Sequence, residues 1–326
     1  MSFLSLGDFS DVTPIPDVSA ADAPARISHT AEFTTTAGYL RAALASGDTS
    51  PRVLPLTASA VQQNMANYSA WALRRSALLA SRADLAAELA WLQNLVREKD
   101  AWKNYQVWQH RRVLSVALGG AAAGAAERSF IDEAFADDAK NYHAWSHRQW
   151  AANALPLAGE DSWAGEAAFA RGYIERDVFN NSGWNHLWFS ISRGGGPPRA
   201  VVFEGRAPSA SVAENAIAFA VSALPCAPAN ESVWSFIRAI AQVGSDAAPH
   251  HDTAALSSGG VWAALPAALE AAERFATTTA FAAEILAEAA EARSDARAAR
   301  GYYESATRLD PVRAAFWAAK RAALKI

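Results

Sequence analysis

The pentapeptide Asn67-Tyr-Ser-Ala-Trp71 recurs downstream as Asn104-Tyr-Gln-Val-Trp108 and as Asn141-Tyr-His-Ala-Trp145. Looser copies follow at Asn180-Asn-Ser-Gly-Trp184 and Asn230-Glu-Ser-Val-Trp234, so the asparagines are spaced by 37, 37, 39 and 50 residues. Self-similarity at such a period is the signature of repeat architectures, in which supersecondary units stack side by side. These five copies therefore decide the fold, because they divide most of the chain into similar units.

Each unit has the pattern of two helices joined by a short turn. Before the second motif, apolar residues recur at spacings of three and four, which predicts an amphipathic helix. The motif asparagine stands where an N-cap belongs, because its side-chain oxygen can accept a backbone N–H of the first turn. No stretch alternates in the manner of a strand. We therefore predict an all-α solenoid of stacked antiparallel helical hairpins, similar to tetratricopeptide repeats.

The repeats are predicted to form one helical domain over residues 36–326, preceded by an extended N-terminal segment at residues 1–35. The motif copies within this domain lie at residues 67–75, 104–112, 141–150, 180–189 and 230–238.

Several stretches depart from the regular repeat. Residues 119–126 are small and predict a loop, and residues 193–208, which contain Gly-Gly-Gly-Pro-Pro, predict a long connection. Past the fifth motif, helices are predicted at residues 275–293 and 296–309, and another starts at Pro311 with Asp310 as its cap.

Composition excludes several classes of protein. The 326 residues carry a net charge of −4, and the single cysteine, Cys226, permits neither an internal disulfide nor a zinc site built on paired cysteines. The slight acidity argues against a nucleic-acid binder. No apolar run approaches the roughly 20 residues of a membrane span, and the N-terminus lacks a signal peptide, so we expect a cytoplasmic protein. The 79 alanines suit closely packed helices.

Candidate functional residues should differ between copies, because residues that repeat in a solenoid are scaffolding by default. They should also lie where the second helices begin, which selects Lys103 and Lys140 before the asparagine, and Tyr105, Gln106, Tyr142 and His143 after it. Two lysines, exposed backbone N–H groups and tyrosine hydroxyls along one edge suit a phosphate-bearing ligand. Solvated lysines in turns are the alternative on composition alone.

A metal site in this chain is not expected. His143 and His147 are four residues apart, a spacing that zinc can use, but the segment lacks the intervening glutamate and a third ligand. Phosphate-binding loops, nucleophile elbows and dinucleotide fingerprints are missing as well. The chain therefore has the pattern of a binding surface and not of a complete active site.

Two of the motifs carry a specific resemblance. The stretches Lys103-Asn-Tyr-Gln-Val-Trp-Gln-His-Arg-Arg112 and Lys140-Asn-Tyr-His-Ala-Trp-Ser-His-Arg-Gln-Trp150 closely resemble the signature repeats of the protein prenyltransferase α subunit. That subunit is shared by protein farnesyltransferase and type I protein geranylgeranyltransferase. The two later motifs and Asp11-Val-Thr-Pro-Ile-Pro16 are similar to other parts of the family pattern, so the resemblance covers most of residues 11–240.

The resemblance implies a right-handed α-α superhelix, a crescent that wraps a β subunit. It also implies transfer of farnesyl or geranylgeranyl from a prenyl diphosphate to a zinc-bound cysteine thiolate of a C-terminal Cys-a-a-X (CaaX) protein. The family's zinc is held by the β subunit, and magnesium assists the farnesyl enzyme. Neither nucleic acid nor a membrane span is implied.

Roles for individual residues follow from the same resemblance. Lys103 takes the position of a lysine that contacts the diphosphate leaving group, and Tyr105 matches a tyrosine near that group, so both are candidate catalytic residues. Gln106 matches a glutamine that binds the substrate's terminal carboxylate. Asn141, Tyr142 and His143 match the edge of the next repeat, which faces the β subunit and the reaction centre.

Two departures from the family pattern stand out, and two alternatives stay open. Leu187 replaces an arginine that is usual in the fourth repeat, and residues 119–126 have the character of an insertion.

The Rab geranylgeranyltransferase α subunit is one alternative, although it normally carries additional domains. The other is a non-catalytic tetratricopeptide-like scaffold, which would require Lys103, Tyr105 and Gln106 to be incidental.

Overall fold

The computed structural model describes residues 9–17, 27–155, 163–192, 210–246, 262 and 265–324. Within these residues the regular structure is helical and includes no strand, which confirms the all-α prediction. The chain divides into two compact units, Met1–Ala158 and Gly159–Ile326, whereas the repeat pattern predicts one domain. Three motif copies lie in the first unit and two in the second. The predicted connection at residues 193–208 lies outside the described residues.

The first unit contains seven described helices. They are α1 (Ala31–Ser46), α2 (Val53–Gln63), α3 (Tyr68–Ala80), α4 (Leu85–Lys99), α5 (Tyr105–Leu118), α6 (Gly120–Asp137) and α7 (Tyr142–Ala154). Helices α2 and α3, α4 and α5, and α6 and α7 pair as hairpins. The second helices α3, α5 and α7 pack side by side, and α4 packs against α6, so the hairpins stack in two layers.

The N-terminal segment is fastened to the first unit. Residues 12–17 run without regular structure, and the N–H of Ile15 donates to the carbonyl of Gly38 at 3.1 Å. A Cβ at Gly38 would lie 3.0 Å from the Cβ of Pro14, so glycine is what permits this close approach. Helix α1 begins at Ala31, with Thr30 as its N-cap, and therefore starts inside the segment predicted to be extended up to residue 35.

The loop predicted at residues 119–126 is wrong, because α6 begins at Gly120. Gly119 and Gly120 both have positive φ, +67° and +64°, a conformation that glycine adopts readily, so the two residues suffice to join α5 to α6. The alanines that follow are strong helix formers, and Ala123 is fully buried. The double glycine thus replaces a loop and leaves the alanine-rich stretch free to start the helix.

The second unit contains eight described helices. They are α8 (Trp163–Arg176), α9 (Asn181–Ile191), α10 (Ala210–Ala223), α11 (Glu231–Asp246), α12 (Pro266–Phe275), α13 (Ala280–Ala292), α14 (Ala296–Leu309) and α15 (Ala314–Ala322). Helices α9 and α11 pack together, α11 packs on α13, and α13 packs most extensively on α14. Nine of the 13 residues of α13 are buried, and six of those nine are alanines, so alanine lets this helix approach its neighbours closely.

Two predictions for the C-terminal region need correction. The helix expected over residues 275–293 is divided, because α12 ends at Phe275 and α13 starts after Thr279, whose hydroxyl caps it. Asp310 caps the last element as predicted, but Pro311–Arg313 is a 3₁₀ turn, and the α-helix begins at Ala314.

Candidate functional site

The motif asparagines are N-caps, as predicted from their position. Each side-chain oxygen accepts a backbone N–H of the following helix at 2.9–3.2 Å. The caps are Asn67, Asn104, Asn141, Asn180 and Asn230. The motif tryptophans are all buried, and each indole N–H donates to the carbonyl six residues earlier at 2.7–2.9 Å. Both residues of the motif therefore build the turn between the two helices of a repeat.

The same asparagines also join one repeat to the next. The side-chain amide of Asn104 donates to the carbonyl of Met65 at 2.9 Å, and that of Asn141 donates to the carbonyl of Trp102 at 3.2 Å. Each of these carbonyls already accepts the indole N–H of its own repeat. The shared carbonyl fixes the distance in space between successive turns, whatever the number of residues that separates them along the chain.

Lys103 lies in the turn before α5, at the edge where the second helices begin. Its side chain is 73% exposed, and its ammonium forms an ion pair of 3.1 Å with the Oδ2 of Asp138, at the end of α6. Sequence reasoning missed Asp138, although it occupies a fixed place three residues before a motif asparagine. The pair places a cation on the surface at the junction of two repeats.

His143 joins Lys103 from the next repeat. Its ring stacks on Trp108, with ring centroids 6.4 Å apart and planes inclined by 14°, and lies near the backbone of Lys103. Burial lowers the pKa of His143, and the nearby backbone of Lys103 opposes part of that shift. The imidazole is therefore neutral at pH 7 and is held by its neighbours.

The remaining predicted site residues flank this junction. Tyr105 and Tyr142 are the first residues of α5 and α7. Tyr105 is 56% exposed and Tyr142 is 77% exposed. Tyr142 meets His143 edge-on, with centroids 5.8 Å apart. Gln106 is largely buried in the first turn of α5. The structure thus brings Lys103, Asn141, Tyr142 and His143 together and places Tyr105 and Gln106 directly after Lys103.

The helices that carry the site are joined by buried charges that sequence reasoning missed. Glu127 of α6 is fully buried and accepts hydrogen bonds from Arg111 of α5, at 3.1 and 3.2 Å, and from His147 of α7, at 2.5 Å. Burial alone would raise the pKa of Glu127, but the charge of Arg111 and the bond from His147 lower it to about 2. We call Arg111, Glu127 and His147 the ionic node.

A similar arrangement recurs one repeat earlier. Glu88 of α4 pairs with Arg74 at 2.6 Å and with His110 at 2.9 Å. The sequence signal was partly visible, because arginine follows the motif tryptophan by three residues in the first three copies. Histidine follows it by two residues in three copies, but the glutamate lies on another helix at a less regular spacing.

Metal binding by the two histidines finds no support in their contacts. The Nε2 of His147 is engaged by Glu127, and the ring of His143 stacks on Trp108. Among the residues that the structure describes, no three His, Cys, Asp or Glu side chains form a group that could hold a metal ion. In the same part of the chain, no helix is both long and apolar enough to cross a membrane.

The fourth repeat keeps the histidine of the ionic pattern, because His186 pairs with the buried Glu166 at 2.7 Å, but it departs from the pattern at the arginine position. Leu187 takes the place of the arginine and is fully buried. Phe236 takes the place of the histidine two residues after the fifth tryptophan, and α10 contributes Ile217 to the same apolar cluster. We call Leu187, Ile217 and Phe236 the apolar node. The replacement of the arginine is therefore accompanied by apolar residues around it.

Comparison with known proteins identifies a family. A model of the protein prenyltransferase alpha subunit repeat matches residues 125–155 and 163–194. The protein farnesyltransferase/geranylgeranyltransferase type-1 subunit alpha of Arabidopsis thaliana is 30% identical over 233 residues, which make up 72% of this chain and 66% of that protein. The subunit of the same name from Pisum sativum is 30% identical over 72% of this chain and 65% of its own length. The chain thus spans slightly less than two thirds of these two plant relatives.

A third relative and a solved structure extend this result. The subunit of the same name from Dictyostelium discoideum is 34% identical over 72% of this chain and 69% of its own length. A chain in the structure of Candida albicans protein geranylgeranyltransferase-I complexed with GGPP matches with a TM-score of 0.73 at 21% identity, covering 97% of this chain and 98% of that one. This likeness shows a shared fold. The chain therefore belongs to the protein prenyltransferase alpha subunit family, as do the farnesyltransferase/geranylgeranyltransferase type-1 alpha subunits.

Proposed function

We propose that this chain is the α subunit of a heterodimeric CaaX protein prenyltransferase that acts in the cytoplasm. With a β subunit, it contributes to transfer of farnesyl or geranylgeranyl from a prenyl diphosphate to the cysteine of a C-terminal CaaX motif. Family membership supports the reaction class. The observation that carries the proposal is the place of Lys103, an exposed cation at the junction of two motif turns, in contact with residues of the next repeat.

Lys103 would stabilise the leaving group. During transfer a C–S bond forms at C1 of the prenyl chain while the C1–O bond breaks, and diphosphate leaves with the bonding electron pair. Negative charge therefore grows on the diphosphate oxygens as the bond breaks. An ammonium fixed near those oxygens stabilises the transition state more than the ground state, which is the condition for rate enhancement.

The neighbouring residues would orient the substrates. The hydroxyl of Tyr105 can donate to a phosphate oxygen, and the amide of Gln106 can donate to the terminal carboxylate of the protein substrate. Asn141 holds the turn that carries Lys103 through its bond to the carbonyl of Trp102, and His143 lies near the same turn. Tyr142 is exposed on the same edge and would face the β subunit.

The metals of the reaction are assigned to the partner and the substrate. Zinc, when bound, activates the cysteine sulfur as a thiolate, and magnesium balances diphosphate charge. The described residues of this chain do not provide a ligand set for either ion.

The test is a prenyl-transfer assay on the purified heterodimer, formed by co-expression with a β subunit, using a CaaX peptide. Lys103→Ala is expected to lower kcat by about 10- to 100-fold without loss of assembly, because it removes one charge from the leaving-group site. The matched control is Lys99→Ala, which removes a lysine that pairs with its own neighbour Glu98 at 3.1 Å. Failure of the heterodimer to form, or full activity of Lys103→Ala, would overturn the proposal.

A further inference from the structure

Asp138 is held at both carboxylate oxygens. Its Oδ1 accepts the backbone N–H of Lys140 at 2.8 Å, and its Oδ2 contacts the ammonium of Lys103 at 3.1 Å. The bond from the Lys140 backbone and the Lys103 ammonium hold the pKa of Asp138 below its usual value, against a smaller opposing effect of burial. A rigid, ionised carboxylate is thus directed at a flexible lysine.

Contacts from the turn between α6 and α7 converge on residues 102 and 103. Asn141 bonds the carbonyl of Trp102, His143 lies near the backbone of Lys103, and Asp138 binds the Lys103 ammonium. The first two contacts are made at the backbone of this turn. Asp138 alone of these three acts on the charged end, so it is the contact that an incoming anion would have to replace.

The sequence links the two charges across the repeats. Wherever lysine directly precedes a motif asparagine, aspartate stands three residues before the next motif asparagine, and where the lysine is missing, alanine takes the aspartate's position. The matched pairs are Lys103 with Asp138 and Lys140 with Asp177, and the uncharged pairs are Ala66 with Ala101 and Phe179 with Ala227. The aspartate therefore occurs together with the lysine of the preceding motif, and the turn alone does not account for it.

The turn itself does not require a negative charge. At the corresponding position of the first motif, the Oδ1 of Asn64 accepts the N–H of Ala66 at 3.0 Å. An uncharged amide therefore makes the same turn contact that Asp138 makes with Lys140. This separates the two functions of the side chain, because asparagine can keep the first and lose the second.

We infer that Asp138 is a positioning residue that holds Lys103 when the site is empty and competes with phosphate oxygens for its ammonium. The inference rests on the proposed function, since it takes Lys103 as the diphosphate contact. Asp138 restrains a side chain that otherwise has four rotatable bonds. It also limits how tightly the diphosphate product is retained after transfer.

The test is a double-mutant cycle for binding of inorganic diphosphate to the purified heterodimer, followed by titration calorimetry. An exposed ion pair contributes little, so Asp138→Asn is expected to tighten diphosphate binding roughly two- to fivefold. In the Lys103→Ala background, the same substitution should tighten diphosphate binding clearly less, because the ion pair with which the anion competes is already absent. A purely structural role for Asp138 would not depend on Lys103 in this way.

Asp84→Asn is the matched control. Asp84 caps α4, accepting the N–H groups of Ala86 and Ala87 at 3.0 Å, and lies at the other end of a helix about 22 Å long. The Asp84→Asn substitution removes the same charge and is expected to leave the dissociation constant for diphosphate unchanged. Unchanged or weaker binding in Asp138→Asn, or equal tightening with and without Lys103, would overturn the inference. If Lys103→Ala itself has no effect on diphosphate binding, the proposed function fails as well.

Discussion

The ionic node of the first unit and the apolar node of the second stand at comparable places in the repeat. In the first, Arg111, Glu127 and His147 are buried, and Arg111 and His147 both donate to the carboxylate of Glu127. In the second, Leu187, Ile217 and Phe236 belong to one apolar cluster. Both arrangements fill the space between neighbouring hairpins. The difference teaches that the position accepts either chemistry, provided that its members change together, because one unpaired buried charge costs more than a full pair contributes.

The largest effect is expected from mixing the two chemistries in the second unit. Leu187→Arg restores the arginine that is usual in the repeat, but places it among apolar side chains. An unpaired buried charge and an overfilled core should together cost about 4–8 kcal/mol. We expect loss of soluble protein or a large fall in the thermal unfolding midpoint.

Leu187→Met is the control for this substitution. It keeps the volume and the apolar character of the side chain, so it should cost less than about 1.5 kcal/mol. If Leu187→Arg is as stable as Leu187→Met, the position of Leu187 tolerates charge, and the contrast between the two nodes has no energetic basis.

A smaller but still large effect is expected from breaking the ionic node. Glu127→Gln keeps the shape of the side chain and leaves the buried guanidinium of Arg111 without a counter-charge. The free energy of unfolding should fall by about 3–5 kcal/mol, measured by guanidinium denaturation followed by circular dichroism.

Another glutamate of α6 provides the comparison. Glu133 pairs with Arg97, but this pair is partly exposed to solvent, with side-chain exposures of 30% and 50%. Glu133→Gln should therefore cost no more than about 1 kcal/mol. Equal costs for Glu127→Gln and Glu133→Gln would mean that burial does not determine how much the ionic node contributes to the free energy of unfolding.

The sequence predicted the parts of the molecule that depend on local order. Asparagine caps and buried tryptophans follow from one pentapeptide, because a cap binds the N–H groups of its own helix and an indole binds the carbonyl of its own turn. The grouping of Lys103 with His143 also followed, since repeats of one period place equivalent turns side by side. Family resemblance then supplied roles for these residues that the pattern alone left open.

The sequence did not reveal which residues on other helices form the ion pairs. Glu127 lies 16 residues after Arg111, whereas Glu88 lies 14 after Arg74, so no single spacing reveals both ion pairs. The start of α6 depended on two glycines with positive φ, which a small-residue stretch does not distinguish from a loop. Asp138 was missed for a related reason, because its partner belongs to the preceding repeat.

The smallest effect should be the same in both units, because both use the same cap. Asn141→Ala removes the cap of α7 and the bond to Trp102, and Asn230→Ala removes the cap of α11 and a 2.7 Å bond to the carbonyl of Val178. Each should lower the free energy of unfolding by about 1–3 kcal/mol. Asn94→Ala, at an exposed position within α4, should be neutral or slightly stabilising. Guanidinium denaturation of the three variants measures the difference. The comparison fails if the stability costs of Asn141→Ala and Asn230→Ala differ by more than those of Leu187→Arg and Glu127→Gln. The caps, and not the residues between the hairpins, would then distinguish the two units.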